Sequence, residues 1–292
     1  MLEWGGIWFV LSFLWLGCCL IVLLGVGLQA VVNKERVDIS WENLFCNTLE
    51  ALGFLYILFA QFLFWDTSPP KIPTQSRRRK DFPILMVPGY ALNRWSLAAL
   101  RRYLHQQGYT TIWATNNANL RDNIHIFVKD LAKKIDHYYA LHQQPIVLIG
   151  HSMGGLICRQ YIEQYGQAKI RATISLATPY RGTVTYRLGI GKVATQFKPN
   201  SEICNITEAP NLPHLIIRSR RDWTVLPFEM THLNGANERI VSKAGHLGVL
   251  FSTLVFQHIR RFLQSLDAQM DAEGSPEVHS VVTHDSNGGA HE

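Results

Sequence analysis

The chain has 292 residues and a hydrophobic content of 47%, which is enough for one sizeable α/β domain with an additional segment but short for two full domains. Its net charge of +6 is unevenly distributed, since residues 71–266 carry 26 Lys and Arg against 10 Asp and Glu, whereas residues 1–70 and 267–292 are acidic. A basic body is attracted to anionic surfaces, but no zinc-ligand spacing, RNP-like aromatic pattern or helix-turn-helix signal accompanies it. We therefore predict no nucleic-acid partner and favour an anionic membrane face.

Two long apolar runs lie in the first seventy residues. Residues 7–28 contain one strongly polar side chain, Ser12, and are long enough to cross a bilayer as a helix. Residues 44–65 form a second run, which is interrupted by four polar side chains that include Glu50. We predict an N-terminal two-helix membrane anchor over residues 1–68, with transmembrane helices at about 7–28 and 44–65. For the second run, an interfacial or re-entrant helix is the alternative.

A linker rich in proline and basic residues follows at 69–81, and its Arg-Arg-Arg-Lys cluster occupies 77–80. If both apolar runs cross the membrane, the loop between them carries only Lys34 and Arg36 near its ends. The positive-inside tendency then places the following body in the cytoplasm. The predicted location is therefore a membrane, with the body on its cytoplasmic side and the basic cluster held against anionic headgroups. A single crossing would leave the orientation undetermined.

The body, residues 82–266, alternates between strand and helix patterns. The elements predicted in its first part are a strand at Phe82–Pro88, a helix at Trp95–Gln107, a strand at Tyr109–Ala114 and a helix at Asn123–Leu141. This alternation is typical of a mostly parallel sheet flanked by helices, in which ligands bind at the carboxyl ends of the strands. The predicted fold class is therefore α/β.

The segment Gly-His-Ser-Met-Gly-Gly at 150–155 joins an apolar strand to a helical pattern at Met153–Tyr165. A turn this sharp places Ser152 in a strained backbone conformation, and strand and helix approach so closely that side chains at Gly150 and Gly154 would clash. This is the G-x-S-x-G context of a nucleophilic serine. A chance match in a glycine-containing loop is the alternative, which the strand before the motif and the helix after it disfavour.

Two backbone N–H groups are candidates for an oxyanion hole. The Met153 N–H lies at the N-terminus of the helix after the serine, where the helix dipole favours negative charge. The first strand ends in Val-Pro-Gly-Tyr, and its glycine lets the chain turn so that the Tyr90 N–H faces the space in front of Ser152. An ordinary strand-to-helix turn is the alternative for Tyr90.

After the helix, a strand at Ala172–Ala177 is followed by Thr-Pro-Tyr-Arg-Gly-Thr at 178–183. Together with Gly-His-Ser-Met-Gly-Gly and the Val-Pro-Gly turn, this segment resembles the α/β-hydrolase lipases, in particular the bacterial triacylglycerol lipases and esterases. The resemblance covers about residues 82–264. It implies an α/β-hydrolase fold and a triad in the chain order Ser, acid, His. One departure is Pro88, where many members have a histidine before the oxyanion-turn glycine.

Asp222 is the predicted acid, because it follows an apolar strand and its surroundings resemble the acid loop of that family. A capping aspartate is the alternative. His246 is the predicted base, because it follows a strand in a glycine-flanked loop before the last helix. The other eleven histidines suit this role less well. His151 is expected to direct its side chain away from the serine, while His214 and His232 are the remaining substitutes.

The predicted function is a membrane-anchored serine hydrolase that cleaves acyl esters, lipids in particular, through an acyl-enzyme. In this reaction His246 deprotonates Ser152, and the N–H groups of Met153 and Tyr90 hold the oxyanion. Two alternatives are an acyltransferase that uses the same acyl-enzyme and a non-catalytic membrane scaffold on a hydrolase fold. The chemistry requires no organic cofactor and no metal, and no pair of aspartates suggests a structural calcium site.

The remaining segments are interpreted from length and composition. About thirty residues between Thr183 and Pro213 leave room for a short cap over the site rather than a large hinged lid. The acidic tail at 267–292 is predicted to be disordered. Cys158 and Cys204 have no C-x-x-C spacing and are interpreted as small buried hydrophobes.

Overall fold

The computed structural model describes residues 17, 20, 23–32, 41, 48, 50–53, 55, 82–117 and 122–273. Within this part of the chain, six strands form one sheet: β1 (Ile84–Val87), β2 (Ile112–Ala114), β3 (Ile146–His151), β4 (Ile170–Leu176), β5 (His214–Ser219) and β6 (Asn237–Val241). Their order is β2-β1-β3-β4-β5-β6, and every neighbouring pair is parallel. The structure thus has the parallel α/β sheet that the sequence predicts.

Helices cover both faces of this sheet. The α-helices of the body are α1 (Ala98–Gln106), α2 (Ile124–His142), α3 (Met153–Tyr165), α4 (Lys192–Thr195) and α5 (Thr253–Glu273). Side chains alternate along β1, so that Ile84 and Met86 pack in one core with α1 and α5, whereas Leu85 and Val87 pack in a second core with α2 and α3. Burial on both faces explains why β1 and most of β3 read as continuous apolar runs.

The strand order reverses beside β1, since β2 lies on one side of β1 and β3 on the other. Val87, the last residue of β1, is in register with Gly150 of β3. The turns after these two strands therefore leave the sheet side by side, and they contain Tyr90 and Ser152 respectively. A crevice at such a reversal is where open α/β sheets bind ligands.

The last helix is longer than the sequence analysis predicts. Because α5 continues to Glu273, residues 267–273 of the predicted disordered tail are helical. The Tyr109 hydroxyl donates a hydrogen bond to Asp267 at 2.9 Å, which ties the start of this stretch to the body. The stretch also contains good helix formers, which the prediction from its acidic composition did not take into account. Residues 274–292 of the tail lie outside the described part of the chain.

The described part of the N-terminal region is helical at residues 23–32 and 50–53. Of the helices in the described residues, none combines the length and the apolar character that a membrane crossing requires. The structure therefore does not show the predicted membrane anchor. The other residues of the two predicted transmembrane helices, 7–28 and 44–65, and the linker at 69–81 lie outside the description.

Both of these helical stretches contact the body. The side-chain amide of Gln29 donates a hydrogen bond to the carbonyl oxygen of Arg220. Gly25 faces the indole of Trp223 so closely that a Cβ on the glycine would lie 2.7 Å from the ring. Glu50 is enclosed by the body and is only 2% exposed. These residues of the predicted anchor are therefore packed against the α/β domain.

Candidate active site

Ser152 occupies the sharp turn between β3 and α3. Its φ of 52° and ψ of −121° lie in a region that residues with a side chain rarely adopt. The backbone is crowded here, because a Cβ on Gly154 would lie 2.0 Å from the carbonyl oxygen of Val87. A Cβ on Gly150 would lie 2.6 Å from the Gly154 carbonyl oxygen, so the predicted clashes at both glycines are confirmed. A hydrogen bond of 2.8 Å from the Ser152 N–H to the Leu176 carbonyl holds the turn against β4.

Asp222 and His246 form a buried pair, with exposures of 3% and 5%. His246 Nδ1 donates to Asp222 Oδ2 at 2.7 Å, while Asp222 Oδ1 accepts the N–H groups of Thr224 and Val225, each at 2.8 Å. Because the carboxylate only accepts, neutral His246 carries its proton on Nδ1 and keeps a lone pair on Nε2. Burial acts to lower the pKa of His246, but the charge and hydrogen bond of Asp222 and the charge of Glu50 outweigh it, and the pKa is raised.

Ser152 and His246 line one cavity of about 500 Å³. The structure thus brings the predicted nucleophile and base to a single space, with Asp222 bound to the far nitrogen of the histidine. The cavity walls include apolar side chains from two segments outside the sheet, namely Leu24 and Leu28 of the N-terminal helix and Tyr186, Leu188 and Phe197 of the cap segment. The cap is short, as predicted, and consists of a 3-10 turn at Val184–Leu188 followed by α4.

The two predicted oxyanion donors belong to segments that flank the serine. Met153 is the first residue of α3 and is buried. The turn that leads into Tyr90 passes directly beside the serine, because a Cβ on Gly89 would lie 3.2 Å from the Ser152 Cβ. Both backbone segments therefore lie beside Ser152.

The side chain of Tyr90 makes contacts that the sequence does not reveal. Its hydroxyl accepts a hydrogen bond from the Ile190 N–H at 2.8 Å and donates to the Ile190 carbonyl oxygen. Its ring meets Phe197 edge-on, with the ring centroids 5.9 Å apart. Tyr90 therefore connects the turn after β1 to the cap segment over the cavity.

His151, predicted to point away from the serine, is completely buried and lines the same cavity. Its Nε2 lies 2.9 Å from the His246 carbonyl oxygen, and since a carbonyl only accepts, this nitrogen carries the proton. The two imidazole rings are 4.9 Å apart. Burial and the neighbouring charge of His246 lower the pKa of His151 to about 3. His151 is therefore neutral and supports the backbone of the predicted base.

The two substitute histidines lie elsewhere. His214, on β5, belongs to a buried network in which it contacts the Thr173 hydroxyl and, at 3.2 Å, the Tyr180 hydroxyl. His232 Nδ1 contacts Glu238 at 3.0 Å. Neither is among the described residues that line the cavity containing Ser152. The geometry therefore favours His246 over both.

Glu50 is the residue near the site that the sequence reasoning missed. Its carboxylate accepts the N–H groups of Leu247 and Gly248, the two residues that follow His246, and the second of these bonds is 2.6 Å long. Burial raises the pKa of Glu50 to about 7, against the lowering effect of these hydrogen bonds and of His246. One signal was available, because an acidic side chain inside an apolar run requires a partner and marks a functional position.

The two cysteines in the described part of the chain take no part in this arrangement. Cys158 and Cys204 are free and buried, which confirms their interpretation as small hydrophobes. Burial raises the pKa of the Cys204 thiol to about 12. In the part of the chain that the structure describes, no three His, Cys, Asp or Glu side chains are grouped in a way that suits a metal ion.

Comparison with known proteins gives one partial family match and a set of similar folds. The model of the lecithin:cholesterol acyltransferase family matches residues 113–190, which include Ser152 but neither Asp222 nor His246. No curated protein sequence matches the chain.

Similar solved structures include the lipase BlEst2 of Bacillus licheniformis in mature form, with a TM-score of 0.55 and 12% identity over 65% of this chain and 95% of that one. A thermophilic esterase from Thermogutta terrifontis has a TM-score of 0.51 and 18% identity over 69% of this chain and 100% of that one. A bromoperoxidase from Bacillus anthracis has a TM-score of 0.50 and 18% identity over 63% of this chain and 92% of that one.

These structures bear names from different chemistries, so the likeness identifies the fold and leaves the reaction to be argued from the site. The parallel sheet, the helices on both faces and the strand-turn-helix around Ser152 agree with that likeness. The chain has the α/β-hydrolase fold.

Proposed function

We propose that this protein is a serine hydrolase that cleaves acyl esters through an acyl-enzyme formed on Ser152. The observation that carries the proposal is the buried hydrogen bond of 2.7 Å between His246 and Asp222, beside a cavity that Ser152 also lines. A serine hydroxyl is a weak nucleophile until a base accepts its proton, and the base needs a partner that fixes its tautomer. Asp222 supplies that partner by accepting from Nδ1, which leaves Nε2 for the serine proton.

In the acylation step, the Ser152 oxygen attacks the ester carbonyl while its proton passes to His246 Nε2. The negative charge that develops on the carbonyl oxygen is held by the N–H groups of Met153 and Tyr90. His246 then returns the proton to the departing alcohol as the carbon–oxygen bond breaks. In the second step a water molecule gives its proton to His246 and attacks the acyl-enzyme, which releases the acid and restores the serine.

The cavity supports an apolar acyl substrate. Leucine and aromatic side chains line it, and its volume of about 500 Å³ is of the size that binds small organic ligands. Lipid esters are therefore the proposed substrate class. A series of p-nitrophenyl esters of increasing acyl length, together with emulsified triglyceride and phospholipid, tests this assignment, and a preference for short soluble esters would contradict it.

The enzyme proposal is tested by labelling the full chain with a fluorophosphonate probe. Wild-type protein and the Ser265→Ala variant, which changes an exposed serine on α5, are expected to label equally. Ser152→Ala is expected to abolish labelling while the circular dichroism spectrum is unchanged. Failure of the wild-type protein to label would remove the enzyme proposal and favour the non-catalytic scaffold.

An acyltransferase is the second candidate, because the family model that matches residues 113–190 is that of an acyltransferase. The same acyl-enzyme would then pass its acyl group to an alcohol or thiol acceptor in place of water. Product analysis with and without an added acceptor alcohol separates the two reactions. Transfer that exceeds hydrolysis at millimolar acceptor would favour the acyltransferase.

We also propose that the protein works at a membrane, most simply a bacterial inner membrane with the body on the cytoplasmic side. Leu23 and Val31 of the N-terminal helix are 61% and 77% exposed, and such an apolar surface suits lipid. The basic cluster at 77–80 adds attraction to anionic headgroups. Carbonate extraction of cell membranes and protease accessibility in spheroplasts test association and orientation, and recovery in the soluble fraction would contradict the proposal.

A further inference from the structure

Glu50 belongs to an apolar run of the N-terminal region, yet its carboxylate lies inside the α/β domain. The side chain is 2% exposed. Oε1 accepts the Leu247 N–H, and Oε2 accepts the Gly248 N–H at 2.6 Å. These donors are the two residues directly after His246. One carboxylate therefore binds two consecutive N–H groups of the loop that carries the proposed base.

The glycines on either side of the histidine are explained by this carboxylate. A Cβ on Gly245 would lie 2.6 Å from the carboxyl carbon of Glu50, and a Cβ on Gly248 would lie 2.7 Å from Oε2. Neither glycine has a φ in the left-handed region, so the backbone conformation does not require glycine at these positions. The Gly-His-Leu-Gly segment therefore encloses Glu50, and the space for side chains at both glycines is filled by it.

Three titratable groups face His246 from the elements packed around it. Asp222, on the loop after β5, binds Nδ1, and His151, at the end of β3, binds the His246 carbonyl oxygen. Glu50 approaches from the N-terminal region and, like Asp222, acts to raise the pKa of His246. Of these three groups, only Glu50 comes from outside the α/β body.

We propose that Glu50 is a positioning residue of the active site, which holds the Gly245–Gly248 loop in place and, in its ionised form, stabilises the imidazolium form of His246. The N-terminal region thereby completes the catalytic unit in addition to any role at the membrane. This inference rests on the proposed function of Ser152 and His246, so its test includes one measurement that requires no activity.

The first measurement is the rate of fluorophosphonate labelling of Ser152 in the full chain. Loss of a buried hydrogen bond to a charged group corresponds to a roughly ten- to hundredfold effect, and that slowing is expected for Glu50→Gln. Glu50→Asp keeps the charge and is expected to retain part of the rate. The matched control is Glu238→Gln. Glu238 accepts a hydrogen bond of 2.9 Å from Arg218 and does not line the cavity, so this variant is expected to label like wild type.

The second measurement is an NMR titration of the His246 imidazole in wild type and in Glu50→Gln. Removal of a neighbouring negative charge is expected to lower the pKa of His246, and the acid limb of the labelling rate is expected to move to lower pH with it. A residue that only maintains the fold would slow labelling without moving this titration. If the wild type does not label, the proposed function is lost, whereas the titration still tests the role of Glu50.

The third measurement separates the position of the carboxylate from its charge. Gly248→Ala keeps the charge of Glu50 and places a methyl group against its Oε2, so it is expected to slow labelling. This variant also tests the proposal if the Glu50 variants do not fold. In a Glu50→Ala background the same methyl group meets empty space, and its effect is expected to shrink. Additive effects in this cycle, or a labelling rate and His246 titration unchanged in Glu50→Gln, would overturn the proposal.

Discussion

Gly25 of the N-terminal helix lies against the indole ring of Trp223, the residue next to Asp222, with space for no more than a hydrogen atom between them. A Cβ at this glycine would lie 2.7 Å from the ring. On the same helix, Leu24 and Leu28 line the cavity that contains Ser152. The close approach at Gly25 therefore places two leucines at the site and connects the N-terminal region to the loop of the proposed acid.

This contact predicts different effects for two glycines on one helix. Gly25→Val is expected to push the helix away from Trp223, since overpacking of this kind costs about 1–3 kcal/mol, and to reduce hydrolysis of long-chain esters more than that of short ones. Gly27→Val is the matched control, because a Cβ on Gly27 would meet nothing within 4 Å. Both variants gain the same difference in helix propensity, because valine favours a helix more than glycine does. Equal loss of activity in the two variants would show that the contact with Trp223 is unimportant.

Asp222→Asn is expected to invert the tautomer of His246. The Oδ1 atom accepts two backbone N–H groups, so the amide of an asparagine would place its oxygen there and direct its NH₂ group at Nδ1. His246 would then carry its proton on Nε2 and lose its ability to accept the serine proton. We expect ester hydrolysis to fall roughly a thousandfold or more.

Two controls complete this test. Asp136→Asn removes a carboxylate that pairs with Lys169 at the surface, and activity close to wild type is expected. Thermal unfolding of Asp222→Asn checks that the variant is folded. Activity of a folded Asp222→Asn within a few-fold of wild type would mean that another group orients the base.

The part of the site built on local structure was predictable from the sequence. The strand, turn and helix around Ser152 are consecutive, and the glycines at 150 and 154 are required by contacts within that turn or with the adjacent β1 strand. Asp222 and His246 each follow a strand in a parallel sheet, and all such strands end at one edge. Periodicity, together with the chain order that the resemblance to the α/β-hydrolase lipases implies, was therefore the basis for predicting that these three residues lie together.

The contribution of the N-terminal region was not predictable in the same way. Glu50 and Leu247 are 197 positions apart, and no local pattern relates two residues at that separation. An apolar run has the same composition whether it is surrounded by lipid or by the core of a protein, so the run at 44–65 predicted a transmembrane helix. The exception within the run, its acidic side chain, was the feature that indicated a partner in the body.

The basic cluster next to the body predicts binding to anionic vesicles. Each basic residue near an anionic surface contributes about 1 kcal/mol, so Arg78→Gln with Arg79→Gln is expected to weaken binding to phosphatidylglycerol vesicles roughly thirtyfold. The control replaces Lys129 and Lys133, which are exposed on α2, by glutamine. Binding is measured by co-sedimentation at two salt concentrations, since screening reduces the effect. If both double variants weaken vesicle binding equally, the attraction to anionic lipid belongs to the basic charge of the whole body.

Glu50 also predicts how stability depends on pH. Burial raises its pKa from the usual 4.5 to about 7, so between these values the folded protein holds more protons than the unfolded chain. The free energy of unfolding therefore falls as the pH rises through this window, because the buried carboxyl has to ionise. The raised pKa of His246 acts in the same direction, since its stabilisation is lost as the pH rises.

Comparison with Glu50→Gln isolates this contribution. The wild-type free energy of unfolding minus that of the variant is expected to fall from pH 5 to pH 8 by an amount on the order of 3 kcal/mol. Urea unfolding of the full chain at several pH values measures this difference. A difference that stays constant or rises with pH would mean that Glu50 is already ionised at pH 5, and the enclosed carboxylate would then have to be treated as charged throughout.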